Sequence, residues 1–249
     1  MGRELKLFLC ALQFLTRLPV PALPDFVPDW ITRSAKYFPL IGQVVGALSA
    51  AAIVLAAQVW PGLIPALLAI TVGILATGAF HEDGLADTAD GLGGGQNCDQ
   101  RLTIMKDSRI GTYGMLALAL CLALKVAVLS SLEPARAVFI LIAMHGAARA
   151  AAVVAMTALS YAGDPAAAKS KPVPVGVTPV ECLLAVVFAA WPMFLLPLGQ
   201  VLYGIAIGCL LAVVIALAAR RLIGGYTGDV LGAVEQLFEL GFLLGVAAL

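Results

Sequence analysis

The sequence predicts an all-α integral membrane protein: a polytopic bundle of about six to seven transmembrane helices with an N-terminal interfacial helix. Three observations carry this. Of 249 residues, 61% are hydrophobic and only 12% charged, whereas a soluble domain is about half apolar and a quarter charged. Mean hydropathy is +1.00. Apolar stretches recur along the chain at the length, roughly 20 residues, that crosses a bilayer core.

Other features narrow the class. Net charge is zero, which removes the electrostatic case for a nucleic-acid partner. The five cysteines (10, 98, 121, 182 and 209) are scattered without a CxxC pair. They read as small buried hydrophobes, not a disulfide or zinc framework. Two histidines are too few for a His-rich metal site. The first residues carry no long apolar core and no small-residue cleavage site, so no cleavable signal peptide is expected.

Residues 1–18 read as the interfacial helix, because Leu5, Phe8, Leu9, Leu12 and Leu15 recur at helical spacing. Leu18-Pro19-Val20-Pro21 ends it, and residues 19–35, rich in Pro and Asp, read as a loop. Spans are expected near 40–60, 63–80, 112–132, 136–159, 181–198, 200–219 and 230–249. The first has a small-residue stripe, Gly42, Gly46 and Ser49, suited to close helix packing. The last is marginal, since Glu235 and Glu239 interrupt it. The whole chain, 1–249, reads as a single membrane-embedded catalytic domain.

Lys and Arg fix the threading. Five precede the first span (3, 6, 17, 33 and 36), three lie in 81–111, two in 160–179 and two at 220–221, while the turns at 60–63 and 197–200 have none. The N-terminus and every long polar loop are therefore expected on the cytoplasmic side. Distant segments then meet at one membrane face.

The most unusual stretch is His81-Glu82-Asp83-Gly84-Leu85-Ala86-Asp87-Thr88-Ala89-Asp90-Gly91, with five ionisable side chains in ten residues. If it is helical, Asp83, Asp87 and Asp90 share one face. Like charges at that spacing repel, and a divalent cation reverses the sign. Hard oxygen ligands suit Mg²⁺ or Mn²⁺. An ordinary solvated turn is the alternative, but one would mix in Lys and Arg. Glu82, Asp83, Asp87 and Asp90 are thus the candidate metal set. Lys106, Arg109 and Arg149 are cations placed opposite, a combination suited to gripping a diphosphate. Asp229, Glu235 and Glu239 form a second acidic set, one of which completes the metal shell or acts as general base. His81 reads as ligand, base or capped polar residue. Lys125, inside a span, must pair or face a cavity unless it lies nearer the interface. His145 and Arg149 share a face that either meets the site or packs on another helix. There is no Walker A or GxGxxG sequence.

Five blocks, in order, resemble the cobalamin synthase family, adenosylcobinamide-GDP ribazoletransferase. They are Phe14–Pro21, Tyr37–Gly42, His81–Gly91, Met105–Gly111, and Gly224–Asp229 followed by Gly232-Ala233 and Glu235. The resemblance implies the last assembly step of coenzyme B12. In it, α-ribazole or its 5′-phosphate displaces GMP from adenosylcobinamide-GDP. It further implies Mg²⁺ dependence and a multi-pass place in the bacterial inner membrane with the site facing the cytoplasm. Catalysis then falls to Asp83, Asp87, Asp90, Lys106, Arg109 and Glu235, and binding to Arg17, Arg149 and Asp229. A homo-oligomer is compatible with it. Two rivals stand beside this. One is another diphosphate-cleaving membrane transferase, CDP-alcohol phosphotransferase-like or UbiA-like. Against the first, no Ala-Arg pair follows Asp83 at the needed spacing. The other is a cation-coupled transporter, which would need carboxylates at mid-membrane depth in broken helices.

Overall fold

The computed structural model describes residues 2–23, 26–27, 29–163 and 176–249. Most of the 160–179 loop lies outside them. The first helix, α1 (Arg3–Leu15), is amphipathic, burying Leu7, Cys10, Ala11 and Leu15. Where a loop is expected at 19–35, a short α2 (Asp29–Ser34) forms and passes through a 3-10 turn, Ala35–Tyr37, into α3 (Phe38–Ala57).

Residues 63–80 do not make one straight span. The helix α4 (Ile64–Thr77) stops at Gly78 and Ala79, both left-handed at φ 69° and 60°. The chain then turns by 90° into α5 (Phe80–Gly94). So the acidic stretch is helical but lies across the end of α4. A short α6 (Cys98–Met105) follows, its N-terminus capped by the Asn97 side chain on Gln100 N–H. Next come α7 (Thr112–Ser131), α8 (Pro134–Ala158), α9 (Pro179–Ala190) with a 3-10 extension Trp191–Leu195, α10 (Leu198–Ile223) and α11 (Gly228–Ala247).

Among the described residues, five helices are long and apolar enough to cross a membrane, or six if the bent α4–α5 pair counts as one span. The expected fifth span falls short as a single helix, because Pro192 sits where α9 gives way to the 3-10 turn. The segment read as marginal, α11, is a full 20 residues and the most enclosed of all, with 83% of its apolar window buried. It is central: α5, α7, α8 and α10 all pack against it.

Glycines set the distances between helices. A Cβ on Gly46 of α3 would stand 2.6 Å from the Leu141 carbonyl of α8, so the predicted stripe does serve close packing. Gly208 of α10 meets Gly241 of α11 with the same economy of space, at 2.7 Å from added Cβ to Cα.

The loops converge at one end. Arg17 N–H donates to Ala76 O at 2.7 Å, Arg101 Nη1 to Leu222 O at 3.4 Å, and Tyr226 N–H to Ser160 O at 2.9 Å. The N-terminal segment, the α4–α5 turn, α6, residues 160–162 and the α10–α11 turn therefore share a polar face, as the distribution of Lys and Arg requires.

Candidate active site

Helix α5 floors that face, and its acidic residues part company. Asp83 is exposed and Asp87 half-buried, one helical turn apart on the open side. Glu82 and Asp83 stand in the first turn, where the helix dipole favours negative charge. At Gly84 the helix crosses the start of α11. An added Cβ there would lie 2.8 Å from the Asp229 carbonyl and 3.2 Å from Gly232 Cα. This crossing carries Asp229 to the same rim. Thr227 caps α11 through Val230 N–H and also hydrogen-bonds Asp229.

Asp90 does something else. Its two oxygens accept the Gly111 and Gly114 N–H groups at 2.7 and 2.8 Å, satisfying the start of α7. It lies on the expected face of α5, but its carboxylate is occupied in tethering the Lys106–Gly111 loop to that helix. The loop holds both expected cations. Lys106 is exposed and has no ion-pair partner among the described residues. Arg109 is 86% exposed and clasps Asp107 at 2.5–3.1 Å. Hydrogen bonds from Arg109 pull the Asp107 carboxyl down to about 2. Arg17, also exposed, covers Gly78 at the start of α5, where a Cβ would strike its side chain.

Glu82 turns the other way, into a charge network enclosed by the helices. Its Oε1 accepts from Gln236 Nε2 at 3.0 Å. Glu239 binds Lys125 Nζ at 2.7 Å, Arg149 Nη1 at 2.7 Å and His145 Nδ1 at 2.8 Å. Lys125 also donates to Gln236 Oε1 at 2.6 Å. Glu235 Oε2 stands 3.0 Å from His81 Nε2 and 3.4 Å from Arg149 Nε. Both contacts are buried between the helices. Arg149 is 1% exposed, which puts it inside this network and away from the open rim where a phosphate would be gripped. Its face with His145 packs on another helix, and Lys125 pairs instead of reaching the interface. A small cavity of about 20 Å³, lined by Ser49, Thr77, Glu82, Lys125, His145 and Glu239 among others, is large enough for one water. Glu235 and Glu239 thus sit two and three turns inside α11.

Among the described residues, no three His, Cys, Asp or Glu side chains stand close enough together to form a metal shell. Glu82 and Asp90 are engaged by Gln236 and by the start of α7, while Asp83 is exposed and Asp87 half-buried on the other side of α5.

Comparison with known proteins decides the family. The cobalamin-5-phosphate synthase family model matches residues 7–247. Curated relatives named adenosylcobinamide-GDP ribazoletransferase include one from Leptothrix cholodnii, 44% identical, covering 97% of this chain and 95% of its own length. Others come from Shewanella woodyi, 42% identical over 97% and 95%, and Shewanella piezotolerans, 41% over 96% and 93%. The chain belongs to the cobalamin-5-phosphate synthase family. It is a transferase of cobalamin biosynthesis. No solved structure matches it.

For this cobalamin-5-phosphate synthase family member, sequence reasoning missed the part played by Gln236, Gly114 and Ser49. The charge network itself had a signal. Lys125, His145 and Arg149 on two spans and two glutamates four apart on a third can escape lipid only by meeting one another.

Proposed function

We propose that the chain joins α-ribazole, or its 5′-phosphate, to adenosylcobinamide-GDP at the open face of α5, with release of GMP. The names and near-complete coverage of the curated relatives support the reaction. The observation that carries the location is the pairing of Asp83 and Asp87 on the open side of α5, with a basic loop tied to the same helix through Asp90.

In this reading a ribose hydroxyl oxygen attacks the phosphorus that bears cobinamide. The bond from that phosphorus to the GMP oxygen breaks, GMP leaves with the electron pair, and the hydroxyl proton passes to a carboxylate. Asp83 and Asp87 fit Mg²⁺ as it is commonly held with diphosphates, by one or two carboxylates together with phosphate oxygens. Bound there, Mg²⁺ supplies neutralisation of diphosphate charge. Lys106 and Arg109 offer charge to phosphate oxygens, and Arg17 and Asp229 adjoin the first part of α5, at Gly78 and Gly84. Glu235 and Arg149 act from the buried network by holding α5 against α11 and α8. Positioning and electrostatics supply the rate. The site faces the cytoplasm across a bacterial inner membrane, consistent with the Lys and Arg distribution.

The test is GMP release by purified protein from adenosylcobinamide-GDP with α-ribazole, with and without Mg²⁺. Release that needs both substrates and the metal is expected. Release unaffected by chelation would reject the metal, and solute transport in proteoliposomes without GMP release would reject the enzyme.

A further inference from the structure

On the side of α11 opposite the charge network, α8, α9 and α10 splay apart around a long apolar groove of about 460 Å³, within the roughly 300–1,000 Å³ of ligand pockets. Alanines of α8, such as Ala151 and Ala155, form one wall, α10 residues including Ala212 form another, and Phe238 of α11 forms the floor. A row of alanines is recessed between bulkier neighbours, which is why the space exists. Helix α10 is the least enclosed span, with 17% of its apolar window buried, so the groove opens sideways toward acyl chains.

Among the described residues the only charged one that lines it is Arg220, on the last turn of α10 beside Arg221. Both are exposed, and neither has a hydrogen bond or ion pair to a described residue. They lie at the polar face, directly before Leu222, whose carbonyl accepts from Arg101. Arg220 at one end of a lipid-facing apolar groove, with Arg221 next to it on the helix, complements a molecule with a hydrocarbon chain and an anionic head. A corrinoid rimmed with amides would find no polar partner along the walls.

We propose that this groove binds an anionic glycerophospholipid, one acyl chain lying along the alanine wall of α8 and the phosphate resting on Arg220 and Arg221. The occupant belongs to the bilayer and is independent of the transfer reaction. Cations near a membrane surface favour anionic over zwitterionic lipid by roughly fivefold each.

Native mass spectrometry of the full chain released from detergent, after incubation with phosphatidylglycerol or phosphatidylcholine, tests this. One phosphatidylglycerol is expected to stay bound in preference to phosphatidylcholine. Arg220→Gln with Arg221→Gln should reduce that preference by roughly 25-fold, and Ala151→Leu with Ala212→Leu should lower retention of both lipids. The arginine pair keeps the proposal falsifiable if the groove-filling variant does not fold. Equal retention of the two lipids by wild type, or retention unchanged by the arginine substitutions, would overturn it. So would a dimer that the Ala212→Leu change dissociates, since a second copy would then fill the groove.

Discussion

Asp83 and Asp90 are both acidic residues of α5, yet they should fail differently. Asp83 is exposed, so Asp83→Asn, like Asp87→Asn, is expected to abolish GMP release, and Asp83→Asn should lower stability in detergent by less than about 1 kcal/mol, the worth of a charge in the first turn of a helix. Asp90→Asn keeps one acceptor for two N–H groups. It should lower stability by about 1–3 kcal/mol as well as slow turnover. Equal thermal shifts for Asp83→Asn and Asp90→Asn would remove the distinction. Arg149 joins two buried carboxylates, so Arg149→Ala strands charge in a low-dielectric interior and should cost about 3–5 kcal/mol. Lysine restores the charge but not the fork, and should recover only part of the melting temperature. Asp107 titrates at about 2 because Arg109 bonds its charged form. A carboxyl depressed on folding lends stability above its ordinary 3.8, and that help fades as pH falls toward 2. The clasp is therefore intact at any pH where the enzyme works. Arg109→Ala should return the Asp107 carboxyl toward 3.8, as read by NMR of the labelled side chain.

At the scale of elements, the site depends on two close approaches that only glycine permits. Gly84 lets α5 rest on the Asp229 backbone, and Gly111 lets the basic loop reach Asp90, whose Oδ1 would stand 2.5 Å from an added Cβ. Gly111→Ala should push the loop off the helix at a cost of about 1–3 kcal/mol. Turnover should fall more than expression, as measured by GMP release per mole of folded protein. The left-handed pair Gly78-Ala79 turns the chain from α4 into α5. That break could not be read from apolar run length, because hydropathy continues smoothly through Ala79 and Phe80 while the backbone does not. The acidic stretch was legible as a candidate site from its carboxylate spacing, with a shared face conditional on the helix that the structure shows. The role of Asp90 was not, since its N–H partners lie 21 and 24 residues away.

For the whole molecule, the gathering of loops at one face makes a single orientation testable. Cys98, exposed on α6, should react with a membrane-impermeant maleimide in inside-out vesicles and stay unlabelled in right-side-out ones. The reverse pattern would put the site on the outer face. The same architecture explains why α11, with two glutamates, is the most enclosed span. Its charges are affordable only at the centre, where α5, α7 and α8 each present a partner.

Composition and run length determined the membrane class, the approximate spans and the shared polar face, because burial in lipid acts on every residue locally and leaves its mark in sequence order. Spacing also determined the candidate carboxylates. Tertiary structure alone decided how each is placed. Asp83 stands exposed and Asp87 half-exposed, while Glu82 and Asp90 are claimed by Gln236 and by the α7 N-terminus, since hydrogen bonding is settled by proximity in space between helices far apart along the chain.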